Sequence, residues 1–182
     1  MSRKRLSLRG TLNVTLDALE GAGAAKNPHQ IFSYEDNDLT RGWKIVEAYV
    51  WAASVQADFG ANTGQFLMQT VLHTDTGLNM RHFGKWGAFD NRIIGWNNTT
   101  FQERAGDFPS NNASSFSTAS KMIIDPDHVI SRDLYISLQS QSDGGGSPEM
   151  EWNYLVIMEP KKMDPKETIL SIIKSVAQDV SN

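Results

Sequence analysis

Hydrophobic and polar positions alternate with a period of two along much of this chain. The clearest run lies between Lys121 and Gln139: Ile130, Leu134, Ile136 and Leu138 fall on even positions, while Ser131, Asp133, Ser137 and Gln139 face the other way. Such alternation predicts a strand of an antiparallel sheet with one wet face. Ahead of it stand a short apolar run, Met122 to Ile124, and a turn at Asp125-Pro126-Asp127. There the proline fixes φ and the aspartates close the bend. Leu12, Val14 and Leu16 alternate likewise, and the pattern reaches back to Leu6 and Leu8. Trp43 to Ala53 (WKIVEAYVWAA) carries apolar residues on both parities, which predicts a central strand covered on both faces. Phe66 to His73, Arg92 to Trp96 with Gly95 as a bulge, and Met150 to Met158 add further strands.

The period changes near the end. Asp164 is placed to cap a helix that starts at Pro165, and Glu167 completes a capping box. Ile169, Ile172, Ile173, Val176 and Val180 then follow helical spacing. This apolar stripe either packs on its own sheet or forms a subunit interface with a neighbouring copy. Between the strands, Glu20 to Asn27, Asn97 to Ser120 and Gln139 to Ser147 read as loops, the second long enough to be functional, mobile or involved in assembly. Seven or eight short strands followed by one helix indicate an antiparallel sandwich or barrel. No strand–helix alternation and no internal repeat is present.

A length of 182 residues suits one domain with a core of its own. With no cysteine, disulfides, thiolate metal sites and cysteine nucleophiles are excluded. The basic start is not followed by an apolar segment of signal-peptide type, and Trp43 to Val55 is too short to span a bilayer. The chain is therefore expected to be soluble and unprocessed, with no membrane partner. Charge is uneven. Arg3, Lys4, Arg5 and Arg9 stand in the first ten residues without an acid; removing these four from 17 basic residues leaves 13 against 21 acidic ones, about −8 for the rest. A basic tip on an acidic body suits contact with something anionic, or is a short solvated tail.

Motifs for chemistry are scarce. His29, His73, His82 and His128 form no chelating pair, and Asp127-His128 point to opposite faces on an extended chain. The acidic turn Glu35 to Asp38 lacks the spacing of a calcium loop. No nucleophile elbow or phosphate-cradling glycine loop occurs, and Glu149 with Glu151 has no acid–base partner. The expectation is no catalytic residue, no metal, no cofactor and no enzyme. Trp43, Trp51, Trp86, Trp96 and Trp152 either form a stacking face or serve packing.

Arg3-Lys-Arg5, Asp90-Asn-Arg-Ile-Ile-Gly-Trp96, Asp125-Pro-Asp-His-Val129 leading to Asp133-Leu-Tyr-Ile136, and Asn153-Tyr-Leu-Val156 together carry a resemblance. The chain resembles the single jelly-roll coat proteins of small viruses, above all capsid proteins of small circular single-stranded DNA viruses known from environmental sequences. The resemblance implies a mainly β fold with a single jelly-roll β-sandwich at 11–160; the charge pattern sets off a basic arm at residues 1–10, and the helical spacing an amphipathic helix at 161–182, which is not a feature of every such coat protein. It implies self-assembly of many copies into an icosahedral virion shell. Arg3, Lys4, Arg5 and Arg9 would meet packaged nucleic acid without reading its sequence. The arm is shorter than the long Arg/Lys runs of that family. Two other functions compete: a carbohydrate-binding module stacking sugars on Trp86, Trp96 or Trp152, and a cupin-like metalloenzyme using His73, His82 and His128.

Overall fold

The computed structural model describes residues 4–15, 28–35, 38, 40–56, 65–75, 92–102, 120–142 and 149–176. Within them the chain is mainly β. Its strands are β1 (Leu6–Thr15), β2 (His29–Ser33), β3 (Arg41–Gln56), β4 (Gln65–His73), β5 (Ile93–Gln102), β6 (Ser120–Lys121), β7 (Ile123–Ile124), β8 (Asp133–Ser142) and β9 (Glu149–Lys162). They form two antiparallel sheets, one of four strands in the order β1-β9-β3-β6 and one of five in the order β2-β8-β4-β5-β7. A helix, α1 (Pro165–Val176), follows β9.

One core joins the sheets in a sandwich-like arrangement. Leu12, Ile45, Val50, Trp152, Val156 and Met158 from the first sheet meet Leu72, Ile94, Leu134, Ile136 and Leu138 from the second. The even-numbered apolar residues of β8 thus point inward, as their alternation requires. Gly10 is registered with Tyr154, and a β-carbon there would lie 2.6 Å from the ring's Cζ, so the missing side chain makes room for the tyrosine.

Two expectations about strand faces are reversed. Apolar residues on both parities of β3 were expected to mean burial on both faces. The register against β9 slips between Ile45 and Glu47, so the inward set changes from Ile45 to Ala48 and Val50. A bulge switches the parity, and Lys44, Glu47, Tyr49 and Trp51 remain partly exposed on the other face. Conversely, the face of β8 expected to be wet is dry at Ser137, which is buried together with Val71 and His73 of β4. In β5 the slip falls between Leu72 and His73, opposite Ile94 rather than at Gly95. Gly95 instead gives space to Ile124 of β7. β5 also continues to Gln102, well past the expected start of the polar loop at Asn97, because it pairs with β4 as far as Gln65.

Residues 120–136 stitch the two sheets together. β6 pairs with β3, the Met122 amide donates to Ala48 O at 2.8 Å, then β7 pairs with β5 and the Asp125 amide donates to Ile94 O at 2.7 Å. After the turn, closed by a 2.9 Å bond from the Asp127 amide to Asp125 Oδ1, Ile130 returns to the first sheet. Reciprocal 2.8 Å backbone bonds tie it to Trp43. Trp43 also stands edge-on to Phe32 and Tyr34, ring centroids 5.8 and 6.1 Å away, closing this end of the core.

Asp164 and Glu167 form a reciprocal capping box at the start of α1: the Glu167 amide donates to Asp164 Oδ1 at 2.8 Å and the Asp164 amide to Glu167 Oε2 at 3.0 Å. Met163, buried just before it, donates to Thr40 O at 2.7 Å and fixes where the helix leaves the sheet. Among the described residues no helix is long and apolar enough to cross a membrane.

Candidate functional site

The outer face of the four-stranded sheet brings together residues from three strands. Alternation turns Leu8, Tyr154 and Val50 inward, which leaves Ser7, Arg9 and Thr11 of β1, Asn153, Leu155 and Ile157 of β9, and Glu47, Tyr49 and Trp51 of β3 on the opposite side. Register aligns them in rows: Thr11–Asn153–Trp51, Arg9–Leu155–Tyr49–Lys121 and Ser7–Ile157–Glu47. Arg9, Thr11, Asn153, Leu155 and Trp51 line a groove of about 580 Å³.

Polar contacts order this face. Thr11 Oγ1 donates to Asn153 Oδ1 at 2.8 Å, which turns the amide oxygen toward β1 and leaves Nδ2 to donate elsewhere. The Tyr49 hydroxyl donates to Glu47 Oε2 at 3.1 Å, and Lys121 Nζ lies 3.9 Å from Glu47 Oε1. That hydrogen bond to Glu47, with smaller contributions from burial and the carboxylate charge, pushes the Tyr49 phenol above its ordinary pKa. Arg9 is exposed and makes no ion pair among the described residues.

Of the sequence-derived nucleic-acid set, Lys4 and Arg5 are exposed immediately before β1, and Arg9 sits within β1 rather than ahead of it. Arg3 lies outside the described residues. Of the interface set, Ile169 is 58% exposed, and so is the neighbouring Leu170 at 58%, an unusual display for large apolar side chains on one helix. Ile172, Ile173 and Val176 belong to α1 by backbone.

A second constellation lies on the outer side of the five-stranded sheet. His73 is buried, with Nδ1 2.7 Å from Asp75 O and Nε2 2.8 Å from Ser137 Oγ. A carbonyl only accepts, so in the neutral ring Nδ1 carries the proton and Nε2 receives the serine hydroxyl. His73 stacks on Tyr135 at 5.7 Å, and Asp75 is held by Arg92 at 3.1 Å. Burial, then the nearby Asp133 and Asp75 carboxylates, raise the Tyr135 pKa. Both ring nitrogens of His73 are engaged, and among the described residues no three His, Asp or Glu gather as a metal site. His82 and Trp86 lie outside the described residues.

The tryptophans among the described residues do not share a face. Trp152 is in the core, Trp43 closes one end, Trp96 packs with Val71 and Ile93 on the second sheet, and Trp51 lies on the outer face of the first. Sequence reasoning named Trp51 but missed Tyr49, Thr11, Asn153 and Leu155 beside it. The available signal was the i, i+2 spacing of Tyr49 with Trp51 and of Asn153 with Leu155. Comparison with protein-family models and with curated proteins gives no match.

Proposed function

We propose that this chain is a structural subunit of a viral capsid: a single jelly-roll protein whose copies assemble into an icosahedral virion shell around a nucleic-acid genome. The observation that carries this reading is the strand order. With β6 and β7 counted as one strand crossing between sheets, the described residues hold eight strands. The first, eighth, third and sixth neighbour one another in one sheet, and the second, seventh, fourth and fifth in the other. That interleaving supports the jelly-roll reading, an architecture used by viral shells, lectins and cupins.

Other observations favour the shell among these three. Exposed Lys4, Arg5 and Arg9 at the first strand suit phosphate contact by counterion release. Exposed Ile169 and Leu170 on α1 offer apolar surface to a neighbouring copy. Among the described residues the tryptophans are scattered and give no common sugar platform, and the two hydrogen bonds of His73 leave it no lone pair aimed at a metal. Size-exclusion chromatography with light scattering, followed by negative-stain microscopy, tests the proposal. Closed particles or large homo-oligomers are expected, and a strictly monomeric protein at high concentration in every salt condition refutes it.

A further inference from the structure

We infer that the outer face of the β1-β9-β3-β6 sheet is a binding site for single-stranded nucleic acid, with Arg9 and Asn153 holding phosphate and Trp51 and Tyr49 stacking bases. This rests on the reading of the chain as a genome-enclosing subunit. It adds a specific surface and a kind of strand to that reading.

The chemistry of the groove is one-sided. β1 presents a cation, Arg9, without an ion-pair partner among the described residues; on β3 the Trp51 ring lines the groove, and Tyr49, two residues away and hence on the same face, stands beside it. Between them, β9 supplies Leu155 as an apolar floor and the Asn153 amide, whose oxygen is occupied by Thr11 and whose Nδ2 is left to donate. Donors therefore line one side and π surfaces the other. Two carboxylates share this face in neighbouring rows: Glu47 on β3, held by Tyr49 and Lys121, and Glu151 on β9, opposite Asn13 and Ser54, so phosphate belongs on the Arg9 side. An acceptor-rich anion joined to a flat ring is what this arrangement complements.

The geometry narrows the ligand further. β1 and β3 flank β9, so the two sides stand roughly 10 Å apart, a span that one nucleotide covers from its phosphate to the far edge of its base. A duplex keeps its bases stacked on each other and withholds their faces, so only a single strand can use both sides at once. Lys4 and Arg5, exposed where β1 begins, extend the cationic side for neighbouring phosphates. Stacking and phosphate contact tolerate any sequence.

The full-length chain is titrated with labelled oligothymidylate and with a duplex of equal length, binding being read by anisotropy. Assembly is followed separately by light scattering. Single-strand preference is expected, with Trp51→Ala weakening binding about 5- to 150-fold at unchanged salt dependence. Trp51→Phe should recover most of the affinity. Arg9→Gln should lower the slope of log K against log salt by about one. Melting curves of each variant report folding. Oligothymidylate binding that ignores Trp51→Ala and Arg9→Gln, or that matches duplex binding, overturns the inference. So does loss of particle formation by these variants without nucleic acid present, which would assign the face to contact between copies. Particles that form while the face binds no oligonucleotide would end this inference and leave the shell proposal standing. A monomer that still binds through Trp51 would do the reverse.

Discussion

Gly42→Ala is expected to destabilise the fold by about 1–6 kcal/mol, and the structure supplies each contribution. A β-carbon at Gly42 would stand 2.6 Å from Val129 Cγ1 and 2.7 Å from the carbonyl oxygen of Ile130. The valine methyl can turn aside, but the carbonyl cannot, because it accepts the 2.8 Å bond from Trp43 and belongs to the bridge that joins the sheets. Overpacking of this kind costs about 1–3 kcal/mol. Loosening the two bridge bonds adds about 0.5–1.5 kcal/mol each. Against this, the reduced freedom of the unfolded chain returns about 0.4–1 kcal/mol. For a chain of this length the net effect corresponds to a fall in melting temperature of about 2–24 °C. Gly95→Ala is the control. There the closest contact is Ile124 Cδ1 at 2.7 Å, the free end of a flexible side chain, and the nearest backbone oxygen lies at 3.3 Å. Thermal and denaturant melts followed by circular dichroism compare the two. Equal stability of both variants, or a Gly42→Ala protein melting with the wild type, would show that the bridge is not rigid and refute the reasoning.

Three further outcomes are expected. Ser137→Ala withdraws the hydroxyl from Nε2 of buried His73 and should cost about 1–3 kcal/mol in denaturant melts, whereas Gln30→Ala, which removes an exposed bond to Asp133, should cost under about 1 kcal/mol. Burial raises the Tyr154 phenol above its ordinary value of 10.0, so its folded pKa exceeds its unfolded one. The stability it contributes is complete below that value and lost as pH rises through the folded pKa; Tyr154→Phe should make the alkaline decline in stability shallower in melts taken at stepped pH. Asp164→Ala breaks the capping box of α1 and should cost about 0.5–2 kcal/mol, seen as faster amide exchange in residues 165–168 while the exchange of β8 is unchanged.

The sequence reveals strands wherever burial follows parity without interruption. Leu134, Ile136 and Leu138 announce β8 because a regular pleat turns every second side chain inward, and Asp164 and Glu167 announce the start of α1 because a capping box is local chemistry. β3 misleads because a bulge near Val46 changes which parity faces the core, and a bulge leaves no composition signal of its own. Ser137 looks like a solvent residue for a similar reason: its burial depends on His73, brought beside it by strand pairing rather than by proximity in the chain. The grooved face was half legible. Arg9 stood out by charge and Trp51 by ring, but their meeting across β9 follows from a register between strands far apart in sequence.

The stitching of residues 120–136 also governs how the protein comes apart. A sandwich whose sheets met only through side chains could part like a book, each sheet keeping its own hydrogen bonds. Here the amides of Trp43, Met122, Asp125 and Ile130 bind across or along the crossing segment, so separating the sheets breaks backbone bonds in both at once. Partial opening is thereby confined to the strand ends. If copies assemble as proposed, strain from a neighbour would be transmitted through the described sheets as one body rather than parting them.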